Sequence, residues 1–343
     1  MPDAPVLHRE SVVVDAHNDL LMTVAARPPA QWSAFFRANW LPQLREGGVD
    51  VQVLPVFIDT AFQPEQALRQ TLRMIESAHT IAAGSPGDVA LCRDADEIDR
   101  AVAEGRIALV LALEGCPAVD TDVELLSTLY RLGVRITSFT HFGRSALADG
   151  SGEDATGGRL TRAGVDAVGL MEELGMLLDV SHLGAEGVAH VLEIANRPVL
   201  ASHSCARALR DHHRNLTDEQ LRGIANTGGV ICVNFLAAFV HDSDPSMERL
   251  VDHFEHMAGV AGPEHVGIGP DFVWQVFSEL TPRWCDDLSV EGLDPLAHVA
   301  GLRGPSGLPL VTAALLRRGF DEATVTGILG GNLMRLFRQE LTA

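Results

Sequence analysis

Eight short, β-branched apolar runs alternate with amphipathic helical stretches along the chain, and this alternation constrains the fold more than any other feature. The runs are Ser11–Ala16, Val49–Ile58, Ile107–Leu113, Val134–Phe139, Leu177–Ser181, Pro198–Ser202, Gly229–Phe235 and Val266–Gly269. Such continuous apolar segments are expected of strands buried on both faces of a parallel sheet. Between them, Pro64–Ala83, Asp94–Glu104, Asp120–Leu132, Thr161–Leu174, Ala185–Asn196, Thr217–Asn226 and Ser246–Ala261 carry helical periodicity. Thr217, with Gln220 three residues on, reads as a helix N-cap. Leu308–Gln339 reads as closing helices broken at Gly319 and Gly330-Gly331. Eight β-then-α units predict an α/β fold, a (β/α)8 TIM-type barrel. The 343 residues suit one such domain over 1–343, since no repeat or linker divides them. A doubly wound sheet is the alternative, but no GxGxxG follows a strand.

Charge narrows the partners. The formal net charge of −20 argues against nucleic acid and anionic membranes, both of which need basic surface. All 26 basic residues are arginine, which excludes a Schiff-base lysine, a P-loop lysine and a carboxylated-lysine metal bridge. The five cysteines (Cys92, Cys116, Cys205, Cys232 and Cys285) lack CxxC spacing and read as reduced thiols. The opening MPDAPVLHRES has no apolar signal core, and no apolar run reaches the roughly 20 residues that span a bilayer. A cytoplasmic protein is expected. Gly143–Gly158 and Val273–Gly307 read as long loops on the face of the barrel where substrates bind.

The strand ends carry the chemistry. The first run ends in His17 and Asp19, whose i, i+2 spacing turns both to one side of an extended chain. Later runs end in Glu114, His141, His182, His203 and Asp271. In a barrel, side chains from six strand ends project into one mouth. Four histidines and three carboxylates gathered there call for a counter-ion or strong pKa shifts. His17, Asp19, Glu114, His182 and His203 are too many ligands for one catalytic zinc with an open position. They suit two cations about 3.5–4 Å apart. Glu114 is the natural bridge, because it has two oxygens and there is no lysine to carboxylate. His17 and Asp19 would then hold one ion, and His182 and His203 the other, with a water between them ionised near neutral pH. Asp271 is placed to shuttle a proton or else to cap a loop. His141 is a candidate oxyanion donor or a plain loop histidine. Arg214 is a candidate carboxylate clamp or a surface ion pair. His212 and His213 fall near the mouth and His241 in a loop. The other histidines, His8, His79, His190, His253, His256, His265 and His298, read as structural or solvated.

The chain resembles the membrane (renal-type) dipeptidases, metallo-dipeptidases of the amidohydrolase-like barrels. The matching stretches are DAHNDL at 15–20, ALEG at 112–115, THFGRS at 140–145, GRLTRAGVDAVGLMEELGMLLDVSH at 158–182, ASHS at 201–204, RNLTDEQL at 214–221, GGVICVNF at 228–235, GIGPDF at 267–272 and GGNLMRLF at 330–337. The resemblance implies a two-zinc centre of His17, Asp19, Glu114, His182 and His203, with Asp271 as proton shuttle. It also implies His141 near the scissile carbonyl, Arg214 near the substrate carboxylate, a dipeptide substrate and a homodimer. Two positions depart from the family pattern: Phe272 is followed by Val273 rather than Asp, and position 236 is Leu where some members carry an aromatic residue. Both bear on specificity. The other readings are hydrolysis of another small amide (a β-lactam, an N-acyl amino acid, a peptide-like metabolite) and a non-catalytic metal-binding barrel.

Overall fold

The computed structural model describes residues 3–279 and 293–342. Its strands are β1 (Val13–Asp15), β2 (Val49–Phe57), β3 (Val89–Leu91), β4 (Ile107–Glu114), β5 (Val134–Ser138), β6 (Leu177–Asp179), β7 (Leu200–Ser204), β8 (Val230–Val233) and β9 (Val266–Ile268). They pair in parallel in the order β1-β2-β4-β5-β6-β7-β8-β9. The ring is drawn together where the Ala16 N–H donates to the Ile268 carbonyl at 3.1 Å and the Asp271 N–H donates to the His17 carbonyl at 3.1 Å. This is the expected (β/α)8 architecture.

Alternation along the strands separates two apolar layers. Val14, Val51, Val53, Ala108, Val110 and Ala112 fill the barrel interior, and Leu333, Met334 and Phe337 of the helix Asn332–Glu340 plug its lower end. Leu54, Val56, Leu109, Leu111 and Leu113 face outward into the layer beneath the helices. Glu114 continues the inward parity of Ala108, Val110 and Ala112, so the end of β4 delivers a carboxylate into the barrel mouth. Gly330 lets the C-terminal segment meet β1 closely. A Cβ there would lie 2.3 Å from the Val12 carbonyl oxygen and 2.9 Å from Val14 Cγ2.

Each predicted strand overlaps a strand of the sheet, and four of the predicted helices begin one residue later because their first residue is the cap. Asp94, Thr161, Thr217 and Ser246 each accept a backbone N–H from the first turn of the helix they precede. Thr217 and Gln220 form a full capping box. Four features differ from the sequence expectations. The helical path does not break at Gly330-Gly331 but runs through it as a π-turn over Gly327–Gly331 into Asn332–Glu340. β3 pairs with the edge of β4 off the barrel path. Ala4–Glu10 is helical, with Pro5 in its first turn. Val273–Glu279, expected as loop, is also helical. The rest of that expected loop over 280–292, including Cys285, lies outside the described residues. In the 143–158 loop, Asp149 accepts from Arg144 and from Thr156 at 2.8 Å and braces the short helical segment Ser151–Thr156. Among the described residues, no helix is long and apolar enough to cross a membrane.

Candidate metal centre

Four of the eight singled-out side chains, all histidines, converge on the Glu114 carboxylate. Its Oε2 lies 3.4 Å from His17 Nε2. Its Oε1 lies 2.9 Å from His182 Nε2, 3.5 Å from His203 Nε2 and 3.9 Å from His141 Nε2. Asp19 Oδ2 is 3.6 Å from His17 Nε2, and the His182 and His203 Nε2 atoms are 2.9 Å apart. His17, Glu114 and His203 form one group of candidate ligand atoms; Glu114, His141 and His182 form a second, and His17, Asp19 and Asp271 a third. The two oxygens of Glu114 thus face different histidines, as a bridging carboxylate requires.

Backbone geometry sets these positions. Asp15 Oδ1 accepts the His17 N–H at 2.9 Å, and Asp179 Oδ1 accepts the Ser181 N–H at 2.9 Å, so each acid folds the chain back at the end of its own strand. His182 and Asp271 both adopt positive φ, at 71° and 55°. Such backbone is uncommon for residues with a Cβ and persists where surrounding structure over-determines it.

The electrostatics are those of a cation site. Burial opposes ionisation at Glu114, but the charge of His17 and the close ring nitrogens of His17, His182 and His203 hold its carboxyl well below the usual range. Burial also opposes charge on His17, yet Glu114 and Asp19 hold its pKa well above the usual value. Burial, then the Glu114 charge, pushes Asp19 up to about 7. His182 is held well below its ordinary value by burial and then by Arg214 and His141; His203, by burial and then by His17 and Arg214. Two neutral imidazoles thus present Nε2 atoms to one carboxylate. His17 Nε2 and Asp19 Oδ1 are buried without a hydrogen-bond partner among the described residues. Imidazole nitrogens and carboxylate oxygens converging with such orphaned atoms fit a divalent cation of the zinc type.

Asp271, His141 and Arg214 occupy three different settings. Asp271 Oδ2 accepts from Asn234 Nδ2 at 3.0 Å, and burial raises its pKa. His141 is partly exposed, with its ring centroid 4.6 Å from that of Phe57 and 4.2 Å from that of His182. Arg214 is 3% exposed and buried, not the surface group its sequence context permits. Its Nη1 donates to Ser204 Oγ at 3.1 Å, its Nη2 donates to the His203 carbonyl at 2.8 Å, and its Nε is unpartnered. His213 Nδ1 sits 3.1 Å from Ser151 Oγ in the nearby loop. His212 packs on Phe239, its pKa lowered by burial and by His213 to about 4.

A cavity of about 470 Å³ opens over Asp19, Glu114, His141, His182 and Asp271. Its remaining wall is apolar and includes Phe57, Phe142, Leu236, Phe239 and Val273. Both positions that depart from the family pattern, 236 and 273, therefore face it. Phe57, Glu114 and His141 also line an adjoining space of about 770 Å³ that reaches Arg144.

Two groups missing from the sequence expectations complete the site. Asn234 follows β8, a strand without a ligand-type ending, and holds Asp271. Asp179 accepts the Ser202 hydroxyl at 2.5 Å beside His203. The only sequence signal for either is a polar residue at a strand's end.

Residues 1–281 and 292–343 match the model of the membrane dipeptidase family, peptidase family M19. The chain is 31% identical over 272 residues to Dipeptidase verJ of Clonostachys rogersoniana, a match covering 79% of this chain and 65% of that protein. It is similar in structure to the metallopeptidase dipeptidase AC, with a TM-score of 0.85, 25% identity, and 97% and 99% of the two chains covered. A metallopeptidase of Rhodobacter sphaeroides, solved with a phosphinate mimic of the dipeptide L-Ala-D-Ala, shares the fold at a TM-score of 0.84 and 24% identity, covering 96% of this chain and all (100%) of that one. The chain belongs to the membrane dipeptidase family, peptidase family M19.

Proposed function

We propose that this chain is a zinc-dependent dipeptidase acting on dipeptides with apolar side chains, including those with a C-terminal D-residue. The observation that carries the proposal is the two-faced Glu114 carboxylate at the floor of a mostly apolar cavity. His17 and Asp19 would hold one zinc, His182 and His203 the other, with Glu114 shared between them. The ions supply Lewis acidity and an activated water at neutral pH.

The chain's own residues do the rest. Asp271, steadied by Asn234, accepts a proton from the attacking water and returns it to the amine leaving group. His141, in the cavity wall, donates to the carbonyl oxygen as charge develops there. Arg214 attracts the substrate's C-terminal carboxylate. A buried guanidinium with an unpartnered Nε–H and no ion pair among the described residues favours an incoming anion. Leu236, Phe239 and Val273 in the cavity wall favour apolar side chains. The four described cysteines, all free and buried, support a reducing compartment such as the cytoplasm. One catalytic domain over 1–343 and a homodimer complete the proposal; sedimentation reads the latter.

The test is turnover by zinc-loaded protein across a stereochemically varied dipeptide panel, with an N-acyl amino acid and a β-lactam alongside. Leu-Leu and Ala-D-Ala are expected to turn over faster than Asp-Asp or Lys-Lys, and chelation is expected to abolish the activity. Turnover confined to the N-acyl amino acid or the β-lactam, or none at all, overturns the proposal.

A further inference from the structure

β6 and β7 end side by side, and each contributes one inward polar residue. Asp179 shares the parity of Leu177, and Ser202 that of Leu200; both leucines belong to the interior cluster. Asp179 Oδ1 accepts two backbone N–H groups, Ser181 at 2.9 Å and Ser202 at 3.0 Å. Its Oδ2 accepts the Ser202 hydroxyl at 2.5 Å. Ser202 Oγ in turn lies 2.7 Å from His203 Nδ1.

With Asp179 ionised and Ser181 Oγ donating to Ser202 Oγ from 3.3 Å, the hydrogen count along this row has one solution. Asp179 receives three donors and offers none. Ser202 has a single hydroxyl proton, and it points to Asp179. The Ser202 lone pair then faces His203 Nδ1, so that nitrogen carries the ring proton. Nε2 is left with a bare lone pair, and Nε2 is the atom aimed at Glu114 Oε1, 3.5 Å away. His182 has no equivalent support: its Nδ1 is buried without a partner among the described residues.

We propose that Asp179 and Ser202 form a proton-ordering relay that fixes His203 as the Nδ1–H tautomer and presents its Nε2 as a ready-made cation ligand. Both are positioning residues, since they act on the ligand and touch neither substrate nor cation. The proposal rests on the metal-centre assignment, with one consequence of its own. The ion on His203 is held by a prearranged imidazole, whereas the His182 ring depends on the ion itself for its tautomer.

The experiment uses Ser202→Ala, which removes the hydroxyl and leaves both backbone bonds to Asp179 in place. Zinc binding is read in chelator-buffered zinc, and the His203 tautomer from ring ¹⁵N shifts of metal-free protein. Supporting outcomes are one zinc equivalent weakened by about 10–100-fold with the other unchanged, a mixed His203 tautomer, and recovery of both in Ser202→Thr. Wild-type affinity at both equivalents with an unchanged tautomer in Ser202→Ala overturns the relay. So does a wild-type His203 that carries its proton on Nε2. If wild type takes up no zinc, the metal assignment fails, and the ¹⁵N shifts still decide the relay.

Discussion

Replacing Asn234 by alanine isolates the support that Asp271 receives. Asn234 is fully buried, and its Nδ2 donates to Asp271 Oδ2 at 3.0 Å. A hydrogen bond to a charged group is worth about 1.5–3 kcal/mol. This one stabilises the ionised carboxylate, so its loss favours the protonated form and raises the Asp271 pKa. At about 1.4 kcal/mol per pKa unit, the rise is about 1–2 units. Burial already lifts this carboxyl above its usual range, so the change adds to an existing displacement. The acid limb of kcat/KM against pH therefore moves about 1–2 units toward alkaline pH. On the plateau the unsupported carboxylate is the stronger base, and the rate holds within about tenfold. The variant also orphans the Leu236 N–H, which donates to Asn234 Oδ1 at 2.6 Å. That loss costs about 1–3 kcal/mol of stability and is read separately by denaturant unfolding. The assay is kcat/KM for one dipeptide across pH in wild type and variant, with Asp271→Asn as the control that removes the titrating group. An acid limb at the wild-type pH in Asn234→Ala refutes the assignment of Asp271 as the titrating base.

Three further predictions follow from single contacts. Arg214→Ala is expected to cut kcat/KM for a dipeptide by about 100-fold or more, from two charge-assisted bonds of about 1.5–3 kcal/mol each, and to spare a C-terminally amidated analogue; equal losses on both substrates contradict the carboxylate role. His253 accepts the Ala206 N–H on Nδ1 at 3.1 Å and faces the Val240 carbonyl through Nε2 at 2.9 Å, an arrangement only the neutral ring satisfies. Burial lowers its pKa, so the unfolded chain takes up a proton near pH 6.5 before the native one does. Its contribution is complete above that pH and is lost as pH falls toward the native pKa; denaturant unfolding of metal-free protein is expected to lose stability more steeply between about pH 7 and 5 in wild type than in His253→Gln. Gly330→Ala places a methyl 2.3 Å from the Val12 carbonyl oxygen and is expected to cost about 1–3 kcal/mol. Gly331→Ala, whose nearest neighbour is Thr326 O at 3.3 Å, is expected to cost less.

The barrel was legible in the sequence because parallel strands buried on both faces leave continuous apolar runs, and ligand-type residues follow six of them. β3 was not: Val89–Leu91 is a short edge strand that pairs only with β4, off the barrel path and outside the eight repeating units. The helix Val273–Glu279 lay within a stretch whose Pro, Trp and charges signalled a loop. The convergence of His17, Asp19, Glu114, His182 and His203 follows from barrel geometry alone, since every strand's C-terminal end faces the same mouth. The partners of those residues do not follow from it. Asn234 and Ser202 are ordinary strand-end polar residues until the neighbouring strand is known, and pairing across strands is set by register, which one sequence does not display. Arg214 shows the same limit: the RNLTDEQL stretch looks like an exposed turn before a helix, yet contacts with Ser204 and His203 carry its guanidinium inside.

The central claim is that Glu114 is shared by two cations. Anomalous diffraction at the zinc edge, from crystals grown with zinc, tests it most directly. Two peaks about 3.5–4 Å apart are expected, one bound by His17 and Asp19, the other by His182 and His203, with one Glu114 oxygen on each. A single peak, or two peaks that leave either Glu114 oxygen without an ion, contradicts it.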